Sequence, residues 1–165
     1  AISFSRFNGP EQTIMEHIKF EIHLDIECSR FRPRIKIYVD EQIKYPSRSG
    51  KTPYMDPGSH VIKFEHTCDF GDHELRILRS GKTNKCPEQS VELKRVIIDG
   101  INIRNIIWIN SYNKNIWPEP WASQQREAGV VLEDPVIGET VFGHNCTWTL
   151  PFTSPFYKYV MEWLR

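Results

Sequence analysis

Residues 18–26 of this chain read Ile-Lys-Phe-Glu-Ile-His-Leu-Asp-Ile, apolar at every second position and polar or charged between. Successive side chains of a strand point to opposite faces of a sheet, so this pattern describes a β-strand with one face in a core and the other in solvent. A helix would scatter Ile18, Phe20, Ile22, Leu24 and Ile26 around its whole circumference. The periodic segment as a whole runs from Ile14 to Ile26. A chain committed to such a strand must supply neighbours to pair with it and a second apolar layer to cover it.

The following sequence supplies both. Ile35, Ile37 and Val39 alternate with Lys36 and Tyr38, and Asp40-Glu41-Gln42 turns the chain into Ile43 and Tyr45 as a hairpin. Pro46 to Ser59, with three prolines and two glycines, reads as a long loop. Strand character returns from Val61 to Glu65 and, after a turn at Phe70-Gly71-Asp72-His73, from Glu74 to Leu78. Gly81 to Gln89 is a second loop. Asp99-Gly100 is a strong two-residue hairpin signal between β-branched runs, so Val91–Ile98 and Ile101–Ile109 are expected to pair. A corner at Gly100 that passes the chain to another sheet is the alternative.

Asn110 to Gly129, rich in asparagine and tryptophan, has little periodicity and reads as an extended excursion with a helical turn at Ser123–Glu127. Loops of that length inside a domain usually carry function or meet a partner. Val141-Phe142 and Trp148–Phe152 resume as strands. Phe156, Val160, Trp163 and Leu164 then recur at helical spacing, with Ser154 as the expected N-cap and Pro155 at the first helical position. The expected fold is all-β: one domain spanning residues 1–165, an antiparallel jelly-roll-like β-sandwich with one short C-terminal α-helix. No internal repeat is visible.

Composition narrows the function classes. The 165 residues contain 21 Lys plus Arg and 21 Asp plus Glu, a net charge of zero, whereas nucleic-acid binders draw most of their affinity from a basic excess. No apolar run approaches the roughly 18 residues that cross a bilayer, and Ala1-Ile-Ser-Phe-Ser has neither the basic nor the apolar part of a secretory leader. Neither a nucleic-acid partner nor a membrane is expected. Cys28, Cys68, Cys86 and Cys146 are widely separated without a Cys-x-x-Cys pair. Free, mostly buried thiols are expected, although two disulfides would also fit the count.

Several motifs suggest chemistry and lose it on inspection. Gly50–Thr52 and Gly81–Thr83 both read Gly-Lys-Thr, but a phosphate-binding loop needs a glycine five residues before the first, where Tyr45 and Arg76 stand. His17 and His23 share a strand face about 20 Å apart, too far to hold one metal. His60, His66 and His73 fall at strand ends or turns. His144 near Cys146 suggests a Cys–His dyad, which needs an orienting third group that the sequence does not show. Asn145-Cys146-Thr147 matches a glycosylation sequon, for which chance is the better explanation. Asp69, Asp72, Glu133, Asp134 and Glu139 could bind Ca²⁺ or act as paired carboxylates, with turn capping the default. No catalytic residue, metal ligand or cofactor is expected. The remaining signal is aromatic: Trp108, Tyr112, Trp117 and Trp121 lie in or beside the polar excursion, suited to stacking on sugar or to anchoring a protein interface. Trp148 and Trp163 follow strand and helix periodicity and are expected in the core.

The C-terminal two thirds, from about Phe64, carry a distinctive series. It runs Gly71-Asp-His-Glu-Leu-Arg-Ile, Gly81-Lys-Thr83, Val91-Glu-Leu-Lys-Arg-Val-Ile-Ile-Asp-Gly-Ile-Asn-Ile, Trp117-Pro-Glu-Pro-Trp121 and Gly143-His-Asn-Cys-Thr-Trp-Thr-Leu-Pro-Phe-Thr-Ser-Pro-Phe-Tyr157. The series resembles that of small β-sandwich proteins from tailed phages of cyanobacteria and other marine bacteria. Where that group has glycine after the asparagine, this chain has Cys146, which would be strained if the backbone there needed positive φ. The resemblance implies a virion-associated or tail-region sandwich without enzymatic activity, made in the host cytoplasm. Such a protein would be present in symmetric or repeated copies among other phage structural proteins, as capsid decoration, neck, tail or baseplate component. The alternative is a carbohydrate-binding module for host-surface glycans, with the loop aromatics as stacking platforms.

Overall fold

A computed structural model describes residues 2–6, 12–47, 53–83, 85 and 88–163. The first Gly-Lys-Thr triplet, Cys86 and Leu164 lie outside them. The molecule is two antiparallel sheets packed face to face with a helix at the C-terminus, so the all-β sandwich expectation holds.

The alternating segment becomes strand β2 (Gln12–Glu27), the longest among the described residues. One of its edges pairs with β5 (Gly58–Asp69). Its other edge is shared by β1 (Ile2–Arg6) over residues 12–16 and β7 (Ser90–Ile98) from Phe20 onward. β8 (Ile101–Asn102) and β11 (Val141–Phe142) pair with β7 and complete this sheet. The second sheet runs in the order β10 (Val136–Ile137), β9 (Tyr112–Asn115), β12 (Cys146–Ser154), β6 (Gly71–Ser80), β3 (Arg34–Val39) and β4 (Gln42–Tyr45).

The apolar positions of the alternation face inward as expected: Ile18, Ile22 and Leu24 are fully buried, as are Ile35, Ile37, Leu75, Ile77, Trp148 and Leu150 opposite them. Each such side chain contributes about 1.5–3 kcal/mol when taken out of water. β7 breaks step once. Lys94 and Arg95 are consecutive exposed residues, and the β2–β7 register shifts between His23 and Leu24, so a bulge keeps Val91 and Leu93 on the same inner face as Val96 and Ile98.

Three expectations change. The β-branched run after Gly100 is not a strand beyond Asn102: it is helix α1 (Arg104–Asn110), which buries Ile106 and Ile107 beside Ile103. Asp99 (φ 48°) and Gly100 (φ 78°) make the predicted hairpin turn, and Asp99 accepts from the Lys19 backbone N at 2.8 Å. The chain makes no corner between sheets at Gly100; a direct strand-to-strand corner lies at Phe70-Gly71, where β5 of the first sheet leads into β6 of the second. The excursion after Asn110 is also structured, because β9 joins the second sheet beside β12 and α2 (Trp121–Glu127) starts two residues before the expected helical turn. Its connection is tight at Gly138 (φ 74°), where a Cβ would stand 2.6 Å from the Trp108 carbonyl oxygen.

The C-terminal helix α3 (Phe156–Trp163) forms as expected and buries Phe156, Tyr159 and Val160. Its first turn is held differently. Ser154 belongs to β12, and the Phe156 backbone N instead donates to the buried carboxylate of Glu16 in β2, at 2.9 Å. No helix among the described residues is long and apolar enough to cross a membrane.

Candidate functional site

The four aromatics of the excursion do not form one site. Tyr112 is half-buried in β9, where it sits between Thr149 and Ile137. Trp108 projects from α1, 64% exposed, with the Arg104 guanidinium 6.0 Å from its ring centre. It walls an open cleft of about 720 Å³ over the outer face of the first sheet, beside His23, Asp25 and Lys94. Those polar groups are engaged with neighbours: Asp25 accepts from Ser59 Oγ at 2.8 Å and pairs with Lys94 at 3.7 Å, while His23 meets Glu21 at 2.9 Å.

Trp117 and Trp121 do come together, and they gather a third ring that the sequence had linked to cysteine chemistry. The two tryptophans lie 6.0 Å apart between centroids, with His144 at 5.0 Å from Trp117 and 5.8 Å from Trp121, stacked on the latter. Two loops bring the rings together. One leaves β9, joins the other through an Ile116 N to Asn145 O bond of 2.7 Å, and reaches Trp121 at the start of α2. Glu119 secures that start by accepting from Ser123 Oγ at 2.6 Å and Ser123 N at 3.3 Å.

Asn145 fixes the second loop. Its side-chain oxygen accepts from Lys82 N at 2.9 Å and from Arg79 Nη1 at 3.0 Å, and its side-chain nitrogen donates to Lys82 O at 2.9 Å. The Lys82 ammonium donates to Gly143 O. The sequon asparagine is therefore a structural clamp whose amide is already occupied. Arg79, 1% exposed, also donates to the Gln89 carbonyl at 3.0 Å, anchoring the clamp in the core. The second Gly-Lys-Thr triplet thus serves as a ledge beneath the rings rather than as a phosphate loop.

Burial lowers the His144 pKa, and the charges of Lys82 and Arg79 lower it further, so the ring is neutral at neutral pH. The Cys146 thiol is pushed up to about 12, chiefly by burial, which holds it in the unreactive thiol form. Both shifts run against the thiolate–imidazole pairing that a nucleophilic dyad needs. Cys146 begins β12 and is not among the positive-φ residues, so it carries no backbone strain in place of glycine.

Beside the rings lies a cavity of about 280 Å³, lined by Lys82, Thr83, Ile116, Pro118, Trp121 and His144 together with Asn145. Thr83 also lines a second cleft of about 620 Å³, whose other walls include Arg30, Arg32, Arg34, Tyr54 and Lys85. Arg32 is paired with Asp56 at 2.7 Å. The Arg34 guanidinium lies 4.2 Å from the Tyr54 ring centre and donates to the Tyr54 hydroxyl. Sequence reasoning missed this cleft, because its residues come from three separated segments. The run Arg30-Phe-Arg-Pro-Arg34 was its one visible trace.

No group of His, Cys, Asp or Glu among the described residues is arranged to hold a metal ion. Compared with known proteins, the chain matches no family model, no curated protein and no solved structure. The arrangement offers ring faces, a basic cleft and a clamp, which suit binding.

Proposed function

We propose that this chain is a non-enzymatic interaction protein of a tailed-phage particle, joined to other particle proteins through the segment from α1 to β11. The observation that carries this reading is the distribution of exposed apolar groups. Half of the large hydrophobic side chains left exposed among the described residues lie between Ile101 and Val141, including Trp108, Ile109, Ile116 and Ile137, and Val131 is 86% exposed. Exposed apolar side chains concentrated in one stretch of chain suit a protein contact. The phage-like series in the C-terminal two thirds and the zero net charge support the same reading. Mass spectrometry of purified particles tests it: the protein is expected in fixed copy number, and its absence from particles would sink the reading.

The ledge of Trp117, Trp121 and His144 favours a second reading, recognition of a host-surface glycan. Ring faces pack well against the C–H face of a pyranose, and Trp121 is 38% exposed at the lip of a cavity. A glycan screen with the parent chain and Trp121→Ala decides it. Binding that disappears in the variant supports recognition, and a parent chain that binds no glycan removes it.

A further inference from the structure

We infer that the glycan bound at this end of the sandwich is an anionic one, a polysaccharide of pyranose units bearing carboxylate or sulfate groups. The inference rests on the glycan reading of the Trp117–Trp121–His144 ledge and adds the charge of the ligand. Its basis is the placement of the basic cleft. Thr83 lines both concavities, so the cavity beside the rings adjoins the cleft that carries Arg30, Arg34 and Lys85, and a ligand of several sugar units has the length to occupy both.

The charge balance of that cleft is one-sided. Among the described residues, its lining includes four cations and no carboxylate. Only Arg32 among them has an acidic partner, Asp56, among the described residues. Arg30 and Lys85 are exposed and pair with no carboxylate, and Arg34 is oriented by Tyr54 rather than by an acid. A guanidinium stacked on a phenol ring is held in one plane, which suits bidentate contact with a carboxylate or sulfate. In a chain whose overall charge is zero, four unlike-signed neighbours would be the ordinary outcome of mixing, so this local excess stands against a neutral background.

The same two features, ring faces and cations, also occur in single-strand nucleic-acid sites. The protein's neutrality and the small width of the basic area favour the saccharide. A polynucleotide would meet cations at the cleft alone, while most of nucleic-acid affinity comes from a long basic track.

The test measures binding of the whole chain to four probes by calorimetry: an oligogalacturonate, its methyl-esterified neutral form, a dextran sulfate oligosaccharide, which carries sulfate and no carboxylate, and oligo-dT. The carboxylated and sulfated probes separate the two sources of negative charge. The parent chain is expected to bind at least one anionic saccharide about tenfold more tightly than the neutral form, as two or three partly exposed ion pairs supply. R30Q combined with K85Q, at two exposed side chains, is expected to cut that preference several-fold, with the melting temperature reporting that the fold is kept. Trp121→Ala is expected to weaken all saccharides alike. Equal binding of the neutral and charged forms overturns the inference and leaves the glycan reading standing. Failure of every saccharide overturns both, and tighter binding of oligo-dT than of any saccharide replaces them with a nucleic-acid site.

Discussion

The carboxylate of Glu16 accepts a hydrogen bond from Ser154 Oγ at 2.6 Å and another from the Phe156 backbone N at 2.9 Å, across 138 and 140 positions of chain. Glu16 is 4% exposed and Ser154 is equally enclosed, so the contact is a buried one between β2 of the first sheet and the start of α3 after β12 of the second. One acidic side chain thereby ties both sheets and the closing helix together.

Glu16→Ala is therefore expected to cost about 2–4 kcal/mol, because it strands a buried hydroxyl and a helix N–H without an acceptor. Urea unfolding checks this. Ser154→Ala, which removes one donor and leaves the helix bond in place, is expected to cost less.

The fold's response to pH follows from two histidines with opposite shifts. Burial, with help from the Lys44 charge, lowers the His66 pKa from 6.5 to about 4. The stability tied to its neutral form is complete above pH 6.5 and is lost as pH falls toward 4, a contribution of up to about 3 kcal/mol. His73 is raised: burial opposes its charge, but the Asp69 carbonyl at 2.8 Å and the Asp40 carboxylate at 2.7 Å outweigh that cost. Its contribution is complete below 6.5 and fades as pH rises through its raised value. Denaturation midpoints measured against pH should differ from the parent on the acid side for both variants and in opposite senses: His66→Leu escapes the parent's loss of stability toward pH 4, while His73→Gln lacks stability that the parent holds below 6.5, a deficit that fades as pH rises through the raised His73 value.

Trp148 fills the centre of the second sheet, fully buried, yet its indole Nε1 has no hydrogen-bond partner. Trp148→Phe removes that orphaned donor together with part of the ring, so the two effects oppose each other. Trp148→Ala is expected to cost about 3–5 kcal/mol and Trp148→Phe clearly less, as thermal melts would report.

Asn145→Ala releases both backbone groups of Lys82 and one donor of Arg79. A stability loss of about 2–3 kcal/mol is expected. The Trp121 and His144 rings should also lose their fixed spacing, and the Gly81–Thr83 loop its anchor, which a fall in glycan affinity for neutral and charged forms alike would register.

The sandwich was legible because strict alternation, as in Ile18 to Ile26, has only one structural solution. The same logic failed after Gly100, where Ile101, Ile103, Ile106, Ile107 and Ile109 suggested a strand through β-branched content. Ile103, Ile106 and Ile107 stand at helical spacing, and that periodicity decided the structure over residue preference. β9 was hidden for another reason. Its inward residues are Asn113 and Asn115, buried polar groups bonded to each other at 3.4 Å, so no apolar alternation announced it. Of the site, the tryptophans were readable and their companions were not. His144 meets the tryptophans directly across more than twenty positions of chain, the Arg30–Arg34 run lies beside Gly81 across more than forty, and Asn145 reaches Arg79 and Lys82 across more than sixty.

The corner at Phe70-Gly71 means that one ribbon belongs to both sheets, and it sets a timetable for the chain. β2 waits for β7 before its second edge is closed, and β6 waits for β12, the last strand of the described fold, before its own is. Neither sheet is completed early enough to serve as a finished platform for the other. In the order of synthesis, the second edges of β2 and β6 therefore lack their partners until β7 and β12 have been made, and an unpaired edge is a template for a foreign strand. An aggregation-prone period during synthesis, shortened by whatever holds the early strands apart, is built into this topology.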